Sequence, residues 1–162
     1  MKTEKRHIGR FSFCLVLAIL LVLPSLKAQD SLSQKSVEAY FDEARIFSNR
    51  NQMDLALEVI DKASKLAEKN EDVKSLIDSY HKFSLHYMKL GKEENSIFYW
   101  DRAKVLLKDV EYPYGNAIHK FIEGLRKYNA GNHFAAIFEL EEAKQLSNDR
   151  NFYNNILLAE GN

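Results

Sequence analysis

The sequence predicts an all-α fold: an α-solenoid of three antiparallel helix pairs, followed by a C-terminal helix that is either a cap or half of an unfinished unit. Three observations lead there. From residue 29 onward apolar residues recur at spacings of three and four, and no segment shows sustained strand-type alternation between hairpin turns. Glycine and proline punctuate this part of the chain: Gly91, Gly131 and Gly161 follow helical runs, and "YPYG" (Tyr112–Gly115) separates two of them. The chain also superposes on itself at an offset of 40 residues.

The helices follow in order from these signals. Tyr40, Ala44 and Phe47 lie on one face of a helix near 33–49. Ala56, Ile60 and Ala63 do the same for 53–69, and Tyr80, Ser84 and Tyr87 for 72–90, which ends at Gly91. Ser96, Trp100 and Ala103 mark 93–110. After "YPYG", Ile118, Phe121, Leu125 and Tyr128 form an apolar stripe over 115–130, and Ala136, Leu140 and Ala143 form another over 133–147. Phe152, Tyr153, Ile156 and Leu157 carry a last helix over 151–160.

At the 40-residue offset, Ala44, Ser84 and Gly124 align as small residues, and Asn51, Gly91 and Gly131 align at a turn. Ala56, Ser96 and Ala136 come next, then Leu57, Ile97 and Ile137, then Ile60, Trp100 and Leu140. Ala63, Ala103 and Ala143 follow, then Leu66, Leu106 and Leu146. Small residues facing each other let two helices approach closely, and the bulky ones fill the layer between neighbouring pairs. One pair cannot bury its apolar face alone, so such units stack. The stripe of the third copy's first helix sits one residue off that of the second. Either the turn before Gly131 has lost a residue, or the stripe faces a groove.

The order Tyr–x3–small–x2–aromatic, turn, small–x3–large–x2–Ala resembles the tetratricopeptide repeat (TPR). The copies are residues 37–70, 77–110 and about 117–150. The family period is ~34 residues. The six extra residues per unit imply longer helices or longer connections, for which 71–76 and 111–116 are the candidates. The family's proline near the end of each unit is missing from copies one and three.

The N-terminus reads as an export signal over 1–28. A basic segment, "MKTEKRHIGR", precedes "FSFCLVLAILLVL", thirteen uncharged residues, with Pro24 and then Ala28 at a plausible cleavage point. The run from Phe11 to Leu26 is short of the ~20 residues that span a bilayer. The mature chain is therefore expected in the periplasm or envelope of a Gram-negative bacterium, with no membrane span after cleavage. The only cysteine, Cys14, lies inside the signal, so disulfides and thiolate chemistry are excluded from residues 29–162. Of 23 basic residues five lie in 1–28, against one of 23 acidic ones; the remaining part is mildly acidic. Such a body offers no electrostatic footprint for nucleic acid.

Little chemistry is visible. His81 and His86 are five apart, on different helix faces, and His119 and His133 have no metal-ligand spacing to a partner, so all four read as surface or edge residues. Adjacent carboxylates, Glu93–Glu94 and Glu141–Glu142, diverge around a helix and read as solvated, as does Glu139. Tyr80, Tyr87 and Trp100 match packing columns and read as core. No catalytic set, metal or cofactor is implied.

In the TPR family the first helix of each unit lines a concave groove that holds an extended peptide or a partner helix. By position, the resemblance implies Phe41, Arg45 and Asn49 from copy one, His81, Leu85, Met88 and Lys89 from copy two, and Phe121, Leu125, Tyr128 and Asn129 from copy three. The expectation is a non-enzymatic scaffold binding a protein or peptide. The alternative is the N-terminal sensory module of a split signalling protein, a histidine kinase or helix-turn-helix regulator. Self-association through Ile156 and Leu157 is expected if the last helix is an unfinished unit.

Overall fold

The computed structural model describes residues 35–147 and Phe152. The export signal over 1–28 and the terminal helix over 151–160, Phe152 aside, lie outside the described residues. Ser36 opens a unit of its own. Among the described residues that unit is all-helical: α1 (Val37–Asn49), α2 (Met53–Lys69), α3 (Val73–Lys89), α4 (Glu93–Leu107), α5 (Pro113–Asn129) and α6 (His133–Ser147).

Local chemistry starts these helices. The Ser36 side chain accepts the Ala39 N–H at 3.1 Å, and the Asp72 carboxylate accepts the Ser75 N–H at 3.1 Å. Asn132 does the same for Ala135 at 3.3 Å. Pro113 begins α5, where its missing N–H costs nothing.

Four of the turns are built identically. Asn51, Glu71, Gly91 and Gly131 all have positive φ, between 55° and 78°. Each donates its N–H to the carbonyl three residues back, and the next residue donates to the carbonyl five back, as in Gly91→Met88 (3.0 Å) and Lys92→Tyr87 (2.9 Å). This closes the helix in a left-handed cap and satisfies two otherwise orphaned carbonyls. Three residues therefore suffice between helices at 50–52, 70–72, 90–92 and 130–132. The connection at 108–112 is longer and ends at Tyr112. The extra length of the repeat thus sits mainly in helices of 17 residues, α2, α3 and α5. Of the two connections expected to hold it, 71–76 is helix from Val73 and 111–116 is helix from Pro113; the longer loop begins earlier, at 108.

Sequential helices pack on one another: α1 on α2, α3 on α4, α5 on α6, with α2 against α3 and α5 against both α3 and α4. The small-residue columns sit at these contacts. Ala56, Ser96 and Ala136 are at most 1% exposed, and Ala63, Ala103 and Ala143 are fully buried. Ala44 and Ser84 are buried likewise, and Ser84 Oγ lies 3.1 Å from Ser96 Oγ. Ile60, Ile77, Tyr80 and Phe83 form the largest core cluster, with Ala44, Val59, Ala103 and Leu107.

The 40-residue register holds in the third copy. Ala117, Phe121 and Gly124 are buried, at the positions of Ile77, His81 and Ser84. Of the displaced stripe, Phe121 is buried and Ile118 and Leu125 are half-buried against its cluster, while Tyr128 is 57% exposed. α6 is apolar on two sides. Ala136 and Ala143 face α5, while Phe134, Ile137 and Phe138 remain 83, 59 and 73% exposed. Leu57 and Ile97, which align with Ile137, are half-buried on α2 and α4, each of which has a following helix against it.

Candidate functional site

The first helices of the three units, α1, α3 and α5, carry the residues implied for a groove. On α1, Phe41 and Arg45 are half-buried and Asn49 is exposed. The Lys82 ammonium of α3 lies over the Phe41 ring at 5.2 Å. On α3, Met88 is half-buried and Lys89 exposed. On α5, Leu125 is half-buried, and Tyr128 and Asn129 are exposed. The remaining three are core. His81 and Leu85 are 1 and 5% exposed, and Phe121 is 5% exposed, packed with Ala117, Ala143 and Phe152. His81 and Leu85 lie where α3, α4 and α5 meet and Phe121 lies between α5 and α6, so the strip a partner can reach is narrower than position alone implies.

The histidines are the main correction. His81, His86 and His119 are buried, at 1, 2 and 7% exposure. Only His133, at the start of α6, is exposed. His81 Nε2 of α3 lies 3.4 Å from His119 Nδ1 of α5. The His119 ring stacks on Trp100 of α4, with centroids 4.3 Å apart and planes 13° apart, and Trp100 Nε1–H donates to the His119 carbonyl at 3.3 Å. Lys104 and Arg126 flank the same indole at 4.9 and 5.1 Å. Leu85, Ile122 and Met88 pack around Trp100. His81 Nδ1 and His119 Nε2 have no hydrogen-bond partner among the described residues.

Burial pushes the His119 imidazole down to about 4, with the positive charges of Lys104, Lys120 and Arg126 adding to it. Burial also holds His81 well below its ordinary range, helped by His119 and Lys82. Both rings are neutral at pH 7. Among the described residues, no group of three or more His, Cys, Asp or Glu side chains converges as a metal site.

Two further polar clusters were not visible in the sequence. Tyr112 Oη, at the N-cap of α5, donates to the Asp78 carboxylate of α3, at 3.0 and 2.8 Å from its two oxygens. Burial pushes the Asp78 carboxyl up to about 6, against the opposing pull of the Tyr112 hydrogen bond and Lys82. Glu139 is not solvated as its spacing suggests: its side chain is 14% exposed and accepts from Lys120 at 2.9 Å and from Lys127. Glu123 and Glu142 complete the cluster on Lys120, at 3.8 and 3.1 Å. Glu93–Glu94 and Glu141–Glu142 are exposed.

No helix among the described residues is long and apolar enough to cross a membrane. No family, no curated protein and no solved structure matches the chain.

Proposed function

We propose that this chain is a non-enzymatic protein- or peptide-binding scaffold of the bacterial periplasm or envelope, built as a solenoid of three antiparallel TPR-like helix pairs. The carrying observation is the repeated unit itself. The same small-residue contact and the same three-residue turn recur in all three copies. Cross-helix partners support the antiparallel pairing: Lys127 meets Glu139 while Lys120, two turns earlier, meets Glu142. Repetition of this kind produces an extended surface rather than a pocket. The partner strip runs through Phe41, Arg45 and Asn49, Met88 and Lys89, and Leu125, Tyr128 and Asn129. An apolar centre flanked by donors suits a peptide backbone and its side chains.

The test is affinity capture from envelope extract with three versions of the chain. Met88→Glu/Lys89→Glu alters the strip, and Lys62→Glu alters an exposed position of α2. A partner retained by wild type and Lys62→Glu but lost by the double variant supports the reading. Equal retention by all three sinks the strip assignment. The sensory-module reading has one observation in its favour, the buried histidine pair.

A further inference from the structure

The geometry points to a proton-operated latch: the His81–His119 pair holds α5 to α3 while neutral and releases it when mild acid protonates the pair. The partner-strip reading is not needed for this inference.

One proton fits between two ring nitrogens 3.4 Å apart, so one ring donates and the other accepts. The outer nitrogens, His81 Nδ1 and His119 Nε2, then hold one N–H and one lone pair, and neither has a partner among the described residues. An orphaned buried polar atom is costly, so the neutral pair is already a weak point in the core. A third proton has only the outer lone pair to bind. It would create a buried charge with no acceptor and no counter-ion.

The surroundings close off a rescue. The charges that act on the pair are Lys82 from α3, Lys104 from α4, and Lys120 and Arg126 from α5, all positive. The carboxylates near them are engaged: Glu93 accepts from Arg126 at 3.2 Å, and Glu123, Glu139 and Glu142 surround Lys120. The third buried histidine, His86, sits on α3 with its Nδ1 donating to the Lys82 carbonyl at 2.8 Å. Leu85, Ile122, Met88 and the Trp100 face supply no acceptor for the pair. Water supplies one once α5 separates from α3.

The direction follows from linkage. Both histidines are held below their ordinary value of 6.5, so the closed arrangement is fully favoured above that pH and loses ground as pH falls toward about 4. Each proton taken up on opening makes the open-to-closed ratio rise about tenfold per pH unit. Asp78, on the same helix, acts the other way. Its carboxyl is held at about 6, so the closed form gains a proton there as pH falls from about 6 toward 3.8. Two histidines against one carboxylate leave a net rise of about tenfold per pH unit, and about a hundredfold without the carboxylate.

Hydrogen exchange of the full chain between pH 7.5 and pH 5, corrected for the intrinsic rates, tests this. Opening of α5 and α6 is expected to rise about tenfold per unit below pH 6.5, with α1 and α2 changing less. Asp78→Asn steepens the response. His81→Phe, which places at this position the residue type found at 41 and 121, flattens it while keeping protection at pH 7.5. Unchanged protection in wild type down to pH 5 overturns the latch, as does an undiminished acid response in His81→Phe. If His81→Phe does not fold, titration of wild-type ring signals decides: both histidines titrating near 6.5 overturns it, and both staying neutral at pH 5.5 in the closed majority while exchange of α5 rises supports it.

Discussion

The Tyr112 hydroxyl lies 2.8 and 3.0 Å from the two oxygens of the Asp78 carboxylate and ties the start of α5 to the middle of α3. The bond does not compensate for burying the charge, since the carboxyl is still pushed up to about 6. The folded protein therefore binds a proton at Asp78 more readily than the unfolded chain, and stability from this group falls as pH rises from 3.8 to about 6. The displacement is worth about 3 kcal/mol at most. Asp78→Asn keeps an acceptor for Tyr112 and removes the charge. We expect it to raise stability by about 1–2 kcal/mol at pH 8 and by much less at pH 4. Urea unfolding at the two pH values measures this; a loss of stability at pH 8 contradicts it.

Glu71 occupies the left-handed backbone region, with φ 55°, where the equivalent turns have Gly91 and Gly131. A non-glycine residue there costs about 1–2 kcal/mol, partly offset by the smaller entropy it loses on folding. Glu71→Gly is expected to stabilise by about 0.5–1 kcal/mol, and Gly131→Ala to destabilise by about 1 kcal/mol. A Cβ at Gly131 meets nothing within 4 Å, so the second effect isolates backbone strain. Thermal melts that show Gly131→Ala neutral refute the account.

The repeat was legible because close helix contact admits only small side chains, and the chain shows these at 56, 96, 136 and again at 63, 103, 143. Helix ends were legible where the turn needed glycine. Glu71 was missed because its side chain gives no hint of positive φ, although it lies twenty residues from both Asn51 and Gly91. The burial of the histidines is not legible from their polarity, only from their position in the repeat. His81 aligns with Phe41 and Phe121, and His119 aligns with Ser79, which is fully buried, so the column carried the signal. The role of Glu139 depends on a lysine 19 residues earlier and could not be read from local spacing.

Glu139 gathers two ammonium groups, Lys120 and Lys127, in a partly covered position between α5 and α6. Burial alone raises its carboxyl, but the hydrogen bonds from Lys127 and Lys120 outweigh that and the net displacement is downward. Its contribution is thus present above the unfolded carboxylate range and lost as pH falls through it. Glu139→Gln leaves two ammoniums beside each other. It is expected to cost about 1–2 kcal/mol at pH 7 and little at pH 3. Equal costs at both pH values, read from denaturant midpoints, assign the loss to packing instead.

Gly124 sits at a close approach of α5 to α6. A Cβ there would lie 2.8 Å from Leu140 Cγ, 2.9 Å from Leu140 Cδ2 and 3.3 Å from the Ala136 carbonyl oxygen. Ser84 at the same column of the second unit fits because its neighbour is Ser96, whose hydroxyl it meets at 3.1 Å. Gly124→Ala gains about 1 kcal/mol of helix propensity and loses about 1–3 kcal/mol to overpacking, so a net loss is expected. The Leu140 side chain can move, but the Ala136 backbone cannot without shifting α6. Leu140→Ala alone leaves a gap and costs about 2 kcal/mol or more, scaled down for its partial exposure. In the double variant the new methyl enters that gap, so its cost is expected to fall below the sum of the singles by about 1 kcal/mol. Additive costs in urea unfolding place the clash on the Ala136 carbonyl, and helix separation rather than the leucine then limits this contact.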